Sequence, residues 1–465
     1  MERSLTKQTP ELVGTTVKLQ GWVENLRILS KVSFLDLRDR SGKVQCVAGF
    51  KLEDITIESV VEIEGEVKKR PENMVKKESE TGTVEIEVKS YKVLNKAAAL
   101  AIPVSGDGYD INEESRLKYR YLDLRRERVH KNIQRRSEYI NHLRTFFLKN
   151  DFVDIETPML SKATMEGARD FLVPSRMQKG KFYALPQSPQ QYKQLLMTAG
   201  FERYFQLARC IRDENLRSDR GFEFAQIDLE MSFVNREDVM NIVEESVKHA
   251  VKQSGGKLKD EQFPVIDYKV AMEKYGADKF DLRTQEDKAE GKLAFAWVIN
   301  FPMFKKVDKE DAAEVRDGKS GWTFTHNPFS MPVEEHLEWH LKGEHVEEIL
   351  TTQYDLVCNG LEVAGGSIRA HKSDILKATY KIMGYSEEET QKSVGHMLEA
   401  FDAGTPPHGG IAYGVDRMVA LLCGETSIKE CFAFPMTHSG NISVMDAPNE
   451  ISSEQLKDLG LRLAD

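Results

Sequence analysis

The sequence predicts an α+β protein in two parts, a small β-barrel followed by a larger unit that mixes long helices with strands. Two observations carry that reading. Residues 1–105 hold a succession of short strand-like runs at 16–23, 33–37, 44–47, 60–67 and 84–94, separated by turns such as Arg40-Ser41-Gly42. Short strands with glycine and polar turns at this spacing suit a barrel. Beyond residues 101–110, where Pro103, Gly106 and Gly108 read as a break, the runs take helical length. The first is 129–149, with Ile133, Tyr139, Leu143 and Phe147 apolar. The expected division is a barrel domain at 1–105, a linker at 106–128 and a second domain at 129–465.

Composition agrees with that division. A chain of 465 residues exceeds one ordinary domain, and 40% hydrophobic with 30% charged residues suits a soluble globular protein. No apolar run reaches the roughly 18 residues needed to span a bilayer. The start, MERSLTKQTPEL, lacks the charged-then-apolar pattern of a secretory signal. Cys46, Cys210, Cys358, Cys423 and Cys431 form no CxxC pair or zinc spacing, as expected of reduced thiols in the cytoplasm. A net charge of −10 argues against non-specific coating of nucleic acid. Lys118, Arg120, Arg125, Arg126, Arg128, Lys131, Arg135 and Arg136 crowd one stretch, which by charge alone reads as a solvated helix face. Residues 305–320 read as a charged surface loop.

Four constellations could carry chemistry. In YFQLARCIRDENLRSDRGFEFAQIDLEMSF (204–233) two apolar-rich runs flank a charged segment, as in strand, loop, strand. Alternation sends Gln226, Asp228 and Glu230 to one face and Ile227, Leu229 and Met231 to the other. A polar face is common on an exposed edge strand, but Arg212-Asp213-Glu214 at the end of the partner strand adds a charged floor, and arginine's planar fork suits phosphate or carboxylate. In YDLVCNGLEVAGGSIRAH (354–371), Asn359-Gly360 predicts a two-residue hairpin turn. Pairing Cys358 with Leu361 then makes Asp355 and Glu362 diagonal neighbours on one face, roughly 7–8 Å apart. Such a pair can hold Mg2+, or can simply be two solvated acids. Arg369 falls on the other face unless a bulge at Gly365-Gly366 resets the register.

The third constellation is ALPQSPQQYKQLLM (184–197), where Ser188-Pro189 starts a helix and Gln190 and Lys193 share a face. A lone lysine on a helix is ordinarily solvated. The fourth is HGGIAYGVDRMVALL (408–422), a glycine-rich run leading into an apolar helix with Asp416 and Arg417 in its first turn, where an anion could sit. The chain has no GxxxxGK[ST] phosphate loop.

Taken in this order, FVDIETPML (152–160) resembles motif 1 of class II aminoacyl-tRNA synthetases, the 208–233 segment motif 2, and GIAYGVDRMVALL (410–422) motif 3. Motif 1 falls near 129–160, motif 2 near 204–233 and motif 3 near 409–422. EGARDFLVPSR (166–176), QSPQQYKQLLM (187–197) and EVAGGSIR (362–369) are similar to the amino-acid-pocket signatures of the bacterial-type aspartyl enzymes. The resemblance runs over nearly the whole chain. It implies a five-stranded OB barrel that binds the anticodon, followed by a class II catalytic domain with a mainly antiparallel sheet flanked by helices. It also implies a homodimer, through the Pro158 segment.

The resemblance further implies ATP-dependent ligation of L-aspartate to tRNA(Asp) through an aspartyl-adenylate, with Mg2+. It gives Arg212 to the ATP α-phosphate and the substrate carboxylate, and Arg417 to the γ-phosphate. Asp213, Glu214, Glu362, Gly414, Val415 and Asp416 join them around ATP, and Asp355 and Glu362 hold the metal. Glu166, Gln190 and Asp228 would meet the ammonium and backbone of aspartate, Lys193 and Arg369 its side-chain carboxylate, and His326 would close the pocket. Asparagine would be rejected because a neutral amide leaves Lys193 and Arg369 without counter-charge. In the barrel, Phe34 matches an aromatic that stacks on an anticodon base, Gln45 and Glu85 match base-edge contacts, and Leu29 lies where relatives differ over also charging tRNA(Asn). Composition alone would place Phe34 in the core.

Three departures stand out. The large domain that bacterial members carry after a sequence like YGADKFDLR is missing, since only residues 284–293 separate Arg283 from the resumed match. The usual His-His-Pro reads His326-Asn327-Pro328, and Gly221 stands where relatives often have a glutamine. Two rival readings remain, an asparagine-type relative and a catalytically inactive RNA-binding paralogue.

Overall fold

The computed structural model describes residues 1–164, 168–307 and 320–463. Glu166 and residues 308–319 of the expected charged loop lie outside the described residues. The flanking Phe304–Lys306 and Trp322–Phe324 form a short antiparallel pair. The chain divides into two compact units, Met1–Pro103 and Val104–Asp465.

The first unit is a closed barrel of five strands: β1 (Thr16–Ile28), β2 (Ser33–Asp39), β3 (Gly42–Ala48), β4 (Val60–Lys69) and β5 (Val84–Asn95). Strand order is β1-β2-β3-β5-β4, closed by β4 on β1, so no edge stays open. Alternation is regular: Leu35, Leu37, Val44, Cys46, Ile63, Val84 and Ile86 fill the interior. Phe34, Gln45 and Glu85 each sit one residue out of phase with that set and point outward. Phe34 is therefore only partly buried on the barrel wall, and the core placement that composition favours does not hold.

The second unit is built on an eight-stranded sheet. In chain order its strands are β6 (Val153–Asp154), β7 (Arg203–Ile211), β8 (Glu223–Ser232), β9 (Val265–Asp267), β10 (Phe295–Ile299), β11 (Tyr354–Cys358), β12 (Leu361–Ile368) and β13 (His408–Gly414). Their order across the sheet is β9-β10-β11-β12-β13-β8-β7-β6. Pairing is antiparallel through the middle and parallel only at the outermost pair on each side. One face packs Ile227, Leu229, Met231, Leu356, Ile411 and Tyr413 against the helices Glu127–Lys149, Arg236–Gln253 and Val415–Cys423. On the longest of these, Tyr139, Leu143 and Phe147 recur every fourth residue and are fully buried. Among the described residues no helix is long and apolar enough to cross a membrane.

Residues 106–128, expected as a linker, belong to the second unit, which begins at Val104. Arg116 and Arg120, on the helices Glu113–Lys118 and Arg120–Asp123, and Arg126, just before the helix Glu127–Lys149, converge on one carboxylate, Asp123, at 3.1, 2.6 and 2.7 Å. Arg116 also reaches Glu430 at 2.6 Å, and Arg128 pairs with Glu425 and Glu430. The basic run is thus a buried ion-pair network at these positions, with Lys118 and Lys131 left on the surface. Burial opposes ionisation of Asp123, but the arginines outweigh it and hold the carboxyl below its usual range.

Candidate active site

Strand β8 is interior, not an edge: β13 lies on one side of it and β7 on the other. The alternation therefore buries its polar face, leaving Gln226, Asp228 and Glu230 at 6%, 1% and 0% exposure. A buried carboxylate needs partners. The helix Gln190–Thr198 supplies one. Its start lies one residue later than expected, with Pro189 in the cap position and the Ser188 hydroxyl accepting from the Gln190 amide at 3.2 Å. Lys193 then points into the interior, 2.7 Å from Asp228 and 3.1 Å from Glu230. The solvated lysine expected of a lone helix position is, in this fold, among the most buried side chains.

The second cation arrives through a bulge. On the 354–368 hairpin Val357 faces Glu362 as expected, but Leu356 then faces Ala364, so the extra residue is Val363 and not one of the two glycines. The slip flips parity, and Gly365, Ser367 and Arg369 join the face that carries Asp355. Arg369 accordingly lies in the site, with Nε 3.0 Å from Glu230 Oε1 and NH1 donating to the Ser367 hydroxyl at 2.8 Å. Its approach needs glycine across the sheet: a Cβ at Gly410 would sit 2.0 Å from Glu230 Oε2. Burial alone would raise the Glu230 carboxyl, but Arg369 and Lys193 outweigh it and hold it low. Asp228 is raised by burial, and its Oδ2 is buried without a hydrogen-bond partner.

Asp355 and Glu362 converge around Gly365. A Cβ there would lie 3.1 Å from Asp355 Oδ1, 3.3 Å from Glu362 Oε1 and 3.2 Å from the His326 ring. Burial and then the Glu362 charge push Asp355 well above the carboxylate range. The Gln353 amide donates to both Asp355 oxygens at 3.1 Å, and Lys279 pairs with Glu362 at 2.9 Å. Two hard oxygen donors of this kind are the residues that would hold a divalent cation such as Mg2+. Among the described residues no group of three or more His, Cys, Asp or Glu could hold a metal alone. Burial drives His326 down to about 4, so its imidazole is neutral near pH 7.

Many of these groups line one cavity of about 290 Å3, though Glu230, Asp355 and Lys279 are not among its lining residues. Gln190, Lys193, Asp228, His326 and Arg369 meet there with Arg212, Glu214, Glu362, Gly414, Asp416 and Arg417. Arg212 lies over the Phe224 ring at 5.0 Å and donates to the Gln187 carbonyl at 3.3 Å. Two expected nucleotide contacts are placed otherwise. The Val415 side chain is fully buried in the apolar core behind the cavity, because the first residue of the motif 3 helix faces the sheet. Asp213 lies outside the lining and pairs with Arg169. The Asp416 carboxylate is taken by Arg136 and by the Ala225 amide, which ties the start of β8 to the helix. An amide would not leave Lys193 and Arg369 without counter-charge, as expected from the sequence, since Asp228 and Glu230 already neutralise them. Sequence reasoning missed Glu230 and Lys279 as site residues. Glu230 shares the face of Asp228, and Lys279 sits in YGADKFDLR, used above only as a landmark.

In the barrel, Arg70 joins two of the expected anticodon residues. Its NH2 donates to Gln45 Oε1 at 2.6 Å, and its Nε lies 3.6 Å from Glu85. Leu29 is half-exposed in the turn after β1.

Residues 112–438 match the family of class II tRNA synthetases for D, K and N, and residues 17–94 match the OB-fold nucleic acid binding domain. The chain belongs to this class II synthetase family. At 37% identity it is similar to the aspartate–tRNA(Asp/Asn) ligase of Phenylobacterium zucineum, over 97% of this chain and 96% of that one. At 38% it is similar to the enzyme of the same name from Thermotoga maritima, over 97% of each. A Staphylococcus carnosus protein named aspartate–tRNA ligase is 35% identical over 98% of each. The first of these alignments spans 583 positions against the 465 residues of this chain, in keeping with the absent insertion. The fold is shared with a putative aspartyl-tRNA synthetase from Leishmania major (TM-score 0.74, 21% identity, 93% of each chain). It is shared too with the asparaginyl-tRNA synthetase of Pyrococcus horikoshii (TM-score 0.74, 22% identity, 94% of this chain and 98% of that one).

Proposed function

We propose that this class II synthetase is an aspartate–tRNA ligase of the cytoplasm that forms aspartyl-adenylate from L-aspartate and ATP and transfers the aspartyl group to tRNA(Asp). The observation that carries the reading is the buried set Lys193, Arg369, Asp228 and Glu230 beside Arg212. Lys193 and Arg369 balance Asp228 and Glu230, and the partly buried Arg212 beside them adds one positive charge. Zwitterionic aspartate, with one ammonium and two carboxylates, cancels it, whereas asparagine leaves a buried charge unbalanced. The unpartnered Asp228 Oδ2 is a ready acceptor for the substrate ammonium, and Lys193 and Arg369 are the donors for its side-chain carboxylate.

The nucleophile is already ionised, so no general base is required. Arg212 orients the α-carboxylate toward the α-phosphorus, Arg417 holds the terminal phosphate, and in-line attack expels pyrophosphate. Asp355 and Glu362 would hold Mg2+, which when bound neutralises phosphate charge. His326, kept neutral by burial, covers the pocket without adding charge. A terminal hydroxyl of the tRNA then attacks the adenylate. Phe34, Gln45 and Glu85 on the barrel wall read unpaired anticodon bases by stacking and edge contacts. Charging purified tRNA(Asp) and tRNA(Asn) with labelled aspartate tests this. Transfer to tRNA(Asp) is expected, transfer to both makes the enzyme non-discriminating, and transfer to neither contradicts the assignment.

A further inference from the structure

We propose that Asp219 is a built-in stand-in for the terminal phosphate of the nucleotide on Arg417: the triphosphate displaces it on binding, and it takes the guanidinium back when pyrophosphate leaves. The inference rests on the reading of Arg417 as a phosphate-binding residue and adds a positioning residue to that site.

Arg417 lies in the first turn of the helix Val415–Cys423, and each of its three guanidinium nitrogens has a partner. NH1 donates to the Glu362 carbonyl at 2.7 Å, which fixes one side of the fork to strand β12. The other edge faces the loop between β7 and β8. There Nε meets the Asp219 carbonyl at 3.3 Å and NH2 meets Asp219 Oδ2 at 3.1 Å. A guanidinium edge of this kind receives a phosphate, and in this structure an anion from the protein itself occupies it.

The placement of Asp219 is set by its neighbours. The preceding Ser218 carbonyl accepts from the Ile428 amide at 3.0 Å and from the Ser427 hydroxyl at 3.2 Å. Arg217 and Arg220 close the loop by exchanging backbone hydrogen bonds at 3.1 and 3.2 Å. The loop is thus anchored beside the carboxylate, and rotation of one side chain suffices to release NH2.

Exposure separates this pair from the pairs that hold Arg369 and Lys193, and it shares that exposure with Lys279–Glu362 and Arg220–Glu214. Arg369 with Glu230 and Lys193 with Glu230 are at most 2% exposed, as suits permanent architecture. Arg417 and Asp219 keep 23% and 31% of their side-chain surface exposed, and both line the cavity. A solvent-screened pair is weak, so a polyanion can displace it at little cost. Asp219 thereby keeps Arg417 aimed while the site is free and competes with whatever polyphosphate comes to it.

The test is calorimetric binding of ATP, AMP and inorganic pyrophosphate to the full chain and to its Asp219→Asn and Asp219→Ser variants. Both variants are expected to bind ATP and pyrophosphate about five-fold more tightly, the scale of one screened ion pair, with AMP affinity unchanged. Asp219→Glu, which keeps the anion, should stay near the parent. Unchanged or weaker ATP binding in the neutral variants, or equal tightening of AMP, overturns the proposal. Arg417→Ala separates the two layers. If it loses no ATP affinity, the reading of Arg417 fails; if it loses affinity while the neutral Asp219 variants gain none, only the role of Asp219 fails.

Discussion

Arg369 and Glu230 face each other as a buried fork, Nε to Oε1 at 3.0 Å and NH2 to Oε2 at 3.4 Å, with at most 1% of either residue exposed. Glu230 also holds Lys193, so a single carboxylate aims both cations proposed to receive the aspartate side chain. Replacing it with glutamine leaves two buried cations sharing Asp228 alone, a change on the order of 3–5 kcal/mol. Glu230→Gln is therefore expected to reduce aspartate-dependent pyrophosphate exchange by at least about a hundred-fold, a loss of about 2.7 kcal/mol or more. The melting temperature should fall with it. Retained exchange with an unchanged KM for aspartate would contradict this role.

The barrel makes a separable prediction. Phe34 presents its ring outward between Arg27 on β1 and Val47 on β3, its partners in the two ladders. Loss of one stacking contact costs about 1–3 kcal/mol, so Phe34→Ala should raise the KM for tRNA(Asp) about five-fold or more. Pyrophosphate exchange without tRNA should not change. A fall in exchange would place Phe34 in the barrel's folding and not in recognition.

A third prediction concerns acid stability. His340 is fully buried, stacks on Phe304 and exchanges a hydrogen bond with Thr379 at 2.9 Å. Burial pushes it down to about 4 from an ordinary 6.5. Above pH 6.5 both folded and unfolded states hold it neutral and its contribution is intact. Between pH 6.5 and about 4 only the unfolded state takes the proton, so stability falls by about 1.4 kcal/mol per pH unit. Thermal unfolding at pH 7 and pH 5 should show His340→Gln less acid-sensitive than the parent; equal sensitivity would sink the assignment.

Much of this was legible in the sequence where a short period governs the outcome. Alternation put Gln226, Asp228 and Glu230 on one face, and Asn359-Gly360 set Val357 against Glu362. What failed depended on distant partners. Nothing local marks Val363 as the bulged residue, yet that slip is what turns Arg369 into the site. The basic run from Lys118 read as surface charge although Asp123 lies within it, because the segment is buried by partners such as Glu425 and Glu430 some three hundred residues away. Glu230 was passed over because its importance needs Gly410 across the sheet to leave room and Lys193 to fold inward. Residues 106–128, expected as a linker, hold contacts to Glu425 and Glu430 near the far end of the chain that no local pattern shows.

Charge balance in the buried set is the claim on which substrate choice depends, and pyrophosphate exchange with aspartate and asparagine side by side tests it most directly. Exchange with aspartate is expected to exceed that with asparagine by at least about a hundred-fold, consistent with an uncompensated buried charge. Equal rates with the two amino acids, or faster exchange with asparagine, would contradict it.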